Sequence, residues 1–384
     1  VDGLAVWVPS QNNWLQNLDL PVEYIQGILS ASILNFTGGP SLYAGSVSSF
    51  SLATKGAAIL QGETLGRVAV DIRRSMDSII SKKQDGDSTT DVINGVVAGV
   101  FDTRNGRNLT ILAGHFTATA TNGSTIHNLL ILDGSKEDEV IGSGGQIASN
   151  STFEALAIHG DVLFAGGRVT GNVNGVEVNG LVTYNLATRA FNTQPPALTG
   201  GNGTVTSIAV RDSTGDVYVG GTFQLAGSLE CPGVCFYSTS ASQWNQAGQN
   251  LEGSVSSLMW ATNNILLAGG NLLINGTTRS FLAHYDATQQ AWDTYPGADQ
   301  LPGPVTVITA GTSDGGQVWV SGVSPDGTPY LMKTDGSGTW QRAGQSILMP
   351  GTTIRGLQIL SLTKSHPDSP LLHRDEALLL TGSI

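Results

Sequence analysis

Apolar residues in this chain come in short runs, broken by turns rich in Gly, Asn, Ser and Asp. The stretch from Leu266 to Trp292, LLAGGNLLINGTTRSFLAHYDATQQAW, shows the unit most clearly. An apolar run ends in Gly269-Gly270, a polar turn follows, an alternating segment leads to Tyr285, and Trp292 stands seven residues on. Runs of this kind between such turns predict buried strands joined by hairpins.

The run ending in glycine recurs as LYAG from Leu42, ILAG from Ile111, LFAGG from Leu163, VYVGG from Val217, LLAGG from Leu266, VWVSG from Val318 and LLLTG from Leu378. The first Gly of each copy, or the Ser or Thr in its place, is spaced by 69, 52, 54, 49, 52 and 60 residues. A period of about 50 residues fits a four-stranded propeller blade. Each copy is preceded by a strand with small residues, among them INGVVAGVF from Ile93, VTSIAV from Val205 and VSSLMWA from Val255. Small side chains suit the innermost strand, where blades converge. The outer pair of strands is marked by the interval from Tyr184 to Phe191, Tyr237 to Trp244 and Tyr285 to Trp292, with Lys333 in place of Tyr before Trp340.

The same interval separates Trp7 from Trp14. The chain therefore opens with the third and fourth strands of a blade and closes with a first and second strand. The expected fold is all-β, a seven-bladed propeller in one domain over 1–384. Residues 1–20 join 354–384 in the seventh blade, a closure that pairs otherwise open sheet edges.

One stretch breaks the rhythm, an insertion over about 61–90. Leu65, Val68, Ile72, Met76 and Ile79 recur there at three- and four-residue steps, which is helical spacing. Arg67, Arg73, Arg74, Lys82 and Lys83 sit in the same stretch. A surface helix or irregular outer strands followed by a solvated loop accounts for it better than a docking insertion, because surface insertions cost little.

Composition narrows the class. Charged residues are 12% and apolar residues 40% of the 384, with 50 glycines, so the chain can fill a core and is not a disordered polyelectrolyte. The net charge of −12 comes from scattered carboxylates, and such a surface repels nucleic acid. No apolar run reaches the roughly 18 residues needed to span a bilayer. Nor does the start read as a secretory leader, so the chain is expected to be a mature or excised piece.

Six N-x-[ST] acceptors, at Asn35, Asn108, Asn122, Asn150, Asn202 and Asn275, lie in or beside predicted turns and are candidate glycosylation sites. In the propeller frame Asn122, Asn150, Asn202 and Asn275 fall in loops of the channel-mouth face, Asn35 and Asn108 in the opposite turns. Glycans crowding that face would leave the other face or the rim to a protein partner. The only two cysteines, Cys231 and Cys235 in CPGVC, read as a small disulfide staple formed in an oxidising compartment.

Candidate chemistry is sparse. Catalysis at the channel mouth would need converging carboxylates. The loop candidates Asp212, Asp216, Glu230 and Glu252 are scattered among turns, where turn chemistry explains Asp well. The six histidines, His115, His127, His159, His284, His366 and His373, show no ligand spacing. No catalytic, metal or cofactor residue is assigned. DGSGTW at Asp335–Trp340 resembles a sialidase Asp-box, but it occurs once with its Gly misplaced. A lectin would need exposed aromatics, whereas the repeat-phased ones, Trp260 and Trp319 read as core.

The double Gly followed by Tyr-x6-Trp resembles the kelch motif. A closer resemblance lies in VLFAGGRVTGNVNGVEVNGLVTYN, VYVGGTFQLAGSLECPGVCFYSTSASQWNQAGQNLEGSVSSLMW and LLAGGNLLINGTTRSFLAHYDATQQAW. These look like the large extracellular region of the Rax-type cortical marker proteins of fungal bud-site selection and cellular morphogenesis. The likeness covers most of the chain from about Asp91. It implies a glycosylated ectodomain of a membrane-anchored marker of polarised growth at the cell surface, with a second membrane protein as partner and no catalytic residues. A carbohydrate-binding propeller meeting cell-wall polysaccharide, or a propeller glycoside hydrolase or lyase, is the alternative.

Overall fold

The computed structural model of the protein describes residues 7–8, 13–14, 25–33, 40–49, 52, 54–61, 64–68, 70–74, 95–120, 122–136, 139–311, 317–344, 348–362, 365, 367 and 371–383. Asn35, Met76, Ile79, Lys82, Lys83 and His366 lie outside them. Two compact units divide the chain, one of residues 1–154 and one of residues 155–382, with the boundary inside a strand.

Strands joined by tight turns dominate, as the short apolar runs require. Five sheets have four antiparallel strands in sequence order, and a sixth has the same four with a short fifth strand added. The first unit holds sheet 1 (Gln26–Ile33, Ser41–Ser49, Thr54–Gln61, Thr64–Arg67) and sheet 2 (Gly95–Asp102, Leu109–Thr119, Thr125–Asp133, Glu139–Gly142). Sheet 3 (Thr152–His159, Val162–Val173, Val176–Asn185, Ala190–Phe191) begins at the boundary. The second unit continues with sheet 4 (Thr204–Val210, Val217–Thr222, Val234–Ser238, Gln243–Gln246) and sheet 5 (Leu251–Trp260, Ile265–Ile274, Thr278–Asp286, Ala291–Thr294). Sheet 6 follows (Val305–Ala310, Val318–Val323, Pro329–Thr334, Trp340–Ala343). Thr353–Ser361 and Glu376–Ser383 form a two-stranded sheet, as do Trp7–Val8 and Asn13–Trp14 with Trp7 opposite Trp14.

The glycine pair has two separate causes. A β-carbon added to Gly221, Gly270, Gly322 or Gly382, the second of its pair, would lie 2.0–2.1 Å from a backbone oxygen in, or just before, the first strand of the same sheet. That carbonyl is brought close by a bulge in the first strand, at Thr206, Ser256 and Thr306 in sheets 4 to 6. Sheets 1 and 2 carry the same bulge at Ser30 and Val97. The single glycines of LYAG and ILAG, Gly45 and Gly114, meet first-strand carbonyls at 2.2 and 2.1 Å, so they match the second glycine and not the first.

The first glycine makes room for the next sheet. At Gly166, Gly220 and Gly269 a β-carbon would meet Cγ1 of Val205, Val255 and Val305 at 2.6, 2.7 and 2.6 Å. Sheets therefore pack backbone against side chain at these points, and hydroxyls reinforce the contact. Ser207 Oγ accepts the backbone N–H of Leu258 at 2.9 Å, and Ser257 Oγ that of Ile308 at 3.3 Å.

The aromatic interval also resolves into geometry. Tyr184 pairs with Phe191, Tyr237 with Trp244 and Tyr285 with Trp292 directly across the third and fourth strands. Ring centroids of the three pairs are 5.3, 5.3 and 5.2 Å apart. The indole N–H then donates to the connection from the preceding sheet, Trp244 to Pro196 O at 2.8 Å and Trp292 to Ala247 O at 2.5 Å. In sheet 6 the partner of Trp340 is Thr334 rather than Lys333. The hairpin is one residue shorter there, and buried Lys333 instead donates to Leu371 O at 2.6 Å beside the Trp319 ring.

Two short strands are described between Gln61 and Arg74. Thr64–Arg67 is the fourth strand of sheet 1, and Arg73–Arg74 pairs with the second strand of sheet 2. Val68, Val70 and Ile72 are buried at alternate positions, and Ile72 N–H donates to Lys55 O at 3.1 Å. Leu65, Val68 and Ile72 fall at helical steps because two strand-like stretches meet out of phase. Of the two structural readings of this stretch, helix or outer strands, strands are what residues 64–67 and 73–74 form.

Candidate functional site

The second-to-third connection of sheet 4 carries a hairpin of its own. Leu225–Ala226 and Leu229–Glu230 form a hairpin that pairs with Leu198–Thr199 in a small three-stranded sheet. Gly227, with φ of 61°, permits the tight turn. Cys231 and Cys235 are joined by a disulfide, both buried, with Cα atoms 5.8 Å apart. Backbone bonds from Cys231 to Gln224 O (2.7 Å) and from Gly233 to Phe223 O (3.1 Å) tie the loop to its own base.

This fixed loop forms one wall of a cleft of about 320 Å³, and the connection from sheet 4 to sheet 5 forms the other. Glu230 and Cys231 face Gln246, Gln249, Leu251 and Glu252 across it. Gln246 Nε2 donates to Glu230 O at 2.8 Å, and Gln249 Nε2 to Gln246 Oε1 at 3.3 Å. Its lining has two carboxylates, two amides and no cationic or aromatic side chain.

Of the four carboxylates read as loop candidates, the structure brings Glu230 and Glu252 to this cleft and leaves the others elsewhere. Asp212 and Asp216 lie in the first-to-second turn, at the other end of sheet 4, where the backbone of Asp216 is bonded to Arg211 and Thr214. The described histidines are dispersed. His115 is buried with Nδ1 2.9 Å from Ser151 O, His127, His159 and His284 are half-buried on three sheets, and His373 is exposed 3.8 Å from Asp375. Among the described residues no group of three or more His, Cys, Asp or Glu is placed to hold a metal ion.

The DGSGTW stretch is the third-to-fourth hairpin of sheet 6. Asp335 accepts from Ser337 N–H at 3.0 Å, and the hydrogen bonds from Ser337 hold its carboxyl below the ordinary carboxylate range. Asp286 and Asp326 are lowered in the same way, by Thr288 and by Ser324 with Thr328. Trp244, Trp292, Trp319 and Trp340 are buried; Trp260 is half-buried with the Arg211 guanidinium 5.3 Å from its ring centroid.

Asn108, Asn122, Asn150, Asn202 and Asn275 are all exposed, in the loops expected of them. Asn202 and Asn275 sit on either side of the cleft in chain order, one in the connection from sheet 3 to sheet 4 and one at the hairpin tip of sheet 5. The same class of loop carries apolar residues that the sequence pattern did not reveal. Val176, Leu225, Val323 and Met349 are 46, 38, 37 and 66% exposed. Leu225 stands directly across the hairpin from Glu230. The alternation in FQLAGSLE was the available signal, hidden by the brevity of its two strands.

A family model described as the Rax2 C-terminal beta propeller domain matches residues 181–384. Polarized growth protein L1 of Phoma sp. is 39% identical over 402 aligned residues, covering all of this chain and 30% of that protein. Polarized growth protein RAX2 of Candida albicans is 27% identical over 197 residues, 48% of this chain and 13% of that one. The chain thus spans less than a third of the length of the curated relatives it matches. Among solved structures, a chain of a mitotic checkpoint complex is similar at a TM-score of 0.49 and 11% identity, over 82% of this chain and 76% of that one.

Proposed function

The chain belongs to the family of the Rax2 C-terminal beta propeller domain, and from that premise we propose that it is a recognition scaffold in a fungal marker of polarised growth. The observation that carries this is the 39% identity to a polarized growth protein along the whole of this chain. Recognition rather than catalysis is the role, and a loop carboxylate set split between the two ends of sheet 4 is in keeping with it.

The fuller reading extends the same premise. The propeller has seven blades in one domain, with an insertion at about 61–90. Residues 1–20 pair with 354–384 and close the ring. The parent protein is anchored in the plasma membrane with this region outside the cell, N-glycosylated at Asn35, Asn108, Asn122, Asn150, Asn202 and Asn275, and it meets a membrane protein at sites of growth. Supporting it are the exposure of the five described acceptor asparagines, the disulfide, and the match of the Trp7–Trp14 pairing to the third-to-fourth hairpins of sheets 3 to 5. No helix among the described residues is long and apolar enough to cross a membrane, so an anchor would come from another part of the parent protein.

The test is to delete residues 25–383 from the full-length protein in its host and score the placement of new growth sites by microscopy. Misplaced sites with normal growth rate are expected; unchanged placement would remove the reading. Ring closure is checked separately by deleting residues 1–20, which is expected to lower the unfolding temperature sharply.

A further inference from the structure

Four of the six large apolar side chains that stand exposed among the described residues, Val176, Leu225, Val323 and Met349, share one class of position in the second unit. They lie in second-to-third or fourth-to-first connections, or at the strand ends beside them. Only Leu362 of the second unit lies in a first-to-second connection. Within each antiparallel sheet these two kinds of connection emerge at opposite ends of the strands, so the apolar exposure is one-sided.

Charge does not divide in the same way, since carboxylates stand at both ends of these sheets. The second-to-third and fourth-to-first connections of this unit, with their strand ends, include Glu177, Glu230, Glu252, Asp299 and Asp326 among their charged residues. Arg279 is kept two strands from Glu252, with Leu273 between them in the register.

The cleft between Glu230 and Glu252 opens at this end, and its volume lies at the lower limit of about 300–1,000 Å³ for ligand sites. That is room for a side chain or two. Carboxylates only accept hydrogen bonds, whereas each glutamine can both donate and accept, so it is the two carboxylates that call for a multiple donor. A planar guanidinium supplies that geometry better than an ammonium does. Sugars are less suited, since the lining offers no aromatic platform. An anionic membrane would be repelled.

We infer that this end of the second unit, centred on the Glu230–Glu252 cleft, docks an arginine-bearing, partly apolar segment of a partner protein. A guanidinium enters the cleft, and apolar neighbours of that arginine cover Leu225. The disulfide matters because it holds one wall in place before the partner arrives, which spares the ordering cost of binding. The inference rests on the recognition reading and adds the surface and the partner's chemistry to it.

The test uses the full chain with a labelled peptide of alternating arginine and leucine, and one of alternating glutamate and leucine as control. Binding of the first alone, weakened by salt, is expected. The double substitution Glu230→Gln and Glu252→Gln should lower its affinity about tenfold. Asp212→Asn with Asp216→Asn removes the same charge at the other end and should change it by less than about twofold. Leu225→Ser should weaken binding without altering its salt dependence. Unfolding temperatures of all variants confirm that each is folded. No binding of the arginine peptide, or equal loss in the two double variants, overturns the proposal. If the Glu230/Glu252 variant binds normally while deletion of the propeller still misplaces growth, docking at the cleft falls and the recognition reading stands. If binding behaves as expected but deletion leaves growth in place, the recognition reading falls and the docking surface stands.

Discussion

Ser207 Oγ, on the first strand of sheet 4, lies 2.9 Å from the backbone nitrogen of Leu258 on the first strand of sheet 5 and accepts its proton. Leu258 stands opposite Ala268 in its own sheet, two residues past the bulge at Ser256, and a side chain from the neighbouring sheet answers its N–H. Ser207→Ala leaves that N–H without its acceptor, at an expected cost of about 1–2 kcal/mol. Ser257→Ala should cost a similar amount through Ile308. Denaturant midpoints with unchanged slopes check both; no shift in either would mean that water replaces the serine freely.

Adjacent glycines in one motif are expected to respond differently. Gly220→Ala meets movable methyl groups of Val255 and Leu258 and should cost about 1–3 kcal/mol. Gly221→Ala meets Thr204 O at 2.0 Å, so backbone must shift, and a loss of about 4 kcal/mol or more is expected. Val255→Ala should recover part of the first loss and none of the second, read by a double-mutant cycle.

Trp292 and Trp340 are both buried, yet only the first finds an acceptor for its indole N–H. Trp292→Phe should therefore cost about 1 kcal/mol more than Trp340→Phe beyond their shared loss of packing. Equal thermal shifts in the two variants would show that the bond to Ala247 adds nothing.

Tyr330 is fully buried, and its hydroxyl donates to Gly303 O at 2.6 Å. Burial pushes its phenol far above the ordinary value of 10.0. Tyr218 is raised by burial too, with the nearby Tyr285 adding to it. A raised folded value means that the unfolded chain gives up its proton first. Stability from these groups is complete below pH 10.0 and falls as pH climbs above it. Tyr330→Phe should cost about 1 kcal/mol at neutral pH and make the alkaline limb shallower. A limb of unchanged steepness would assign alkaline unfolding to other groups.

Much of this architecture was legible in the order of residues. The runs ending in glycine marked second strands, and Tyr-x6-Trp marked paired third and fourth strands, because both are imposed by local packing that repeats. Causes were less legible than positions. The first glycine serves the valine of the following sheet, a contact 35 to 39 residues away that no local pattern displays. Gly45 and Gly114 were assigned one place too early for the same reason. Lys333 kept the seven-residue interval to Trp340 while the hairpin itself shortened by one, so spacing misled where register decided. The candidate cleft was hidden more deeply. Glu230 and Glu252 are joined by the fold of CPGVC and a two-residue strand pair, and neither periodicity nor composition carries that information.

The bond between Cys231 and Cys235 closes a loop so short that breaking it should add little freedom to the unfolded chain, about 2 kcal/mol on the entropic account. Protein made or handled with reductant would therefore melt, migrate and scatter much as the oxidised form does. Its cleft wall alone would slacken, so routine quality measurements would pass a preparation that has lost its grip, and thiol state has to be assayed before any failure to bind is believed.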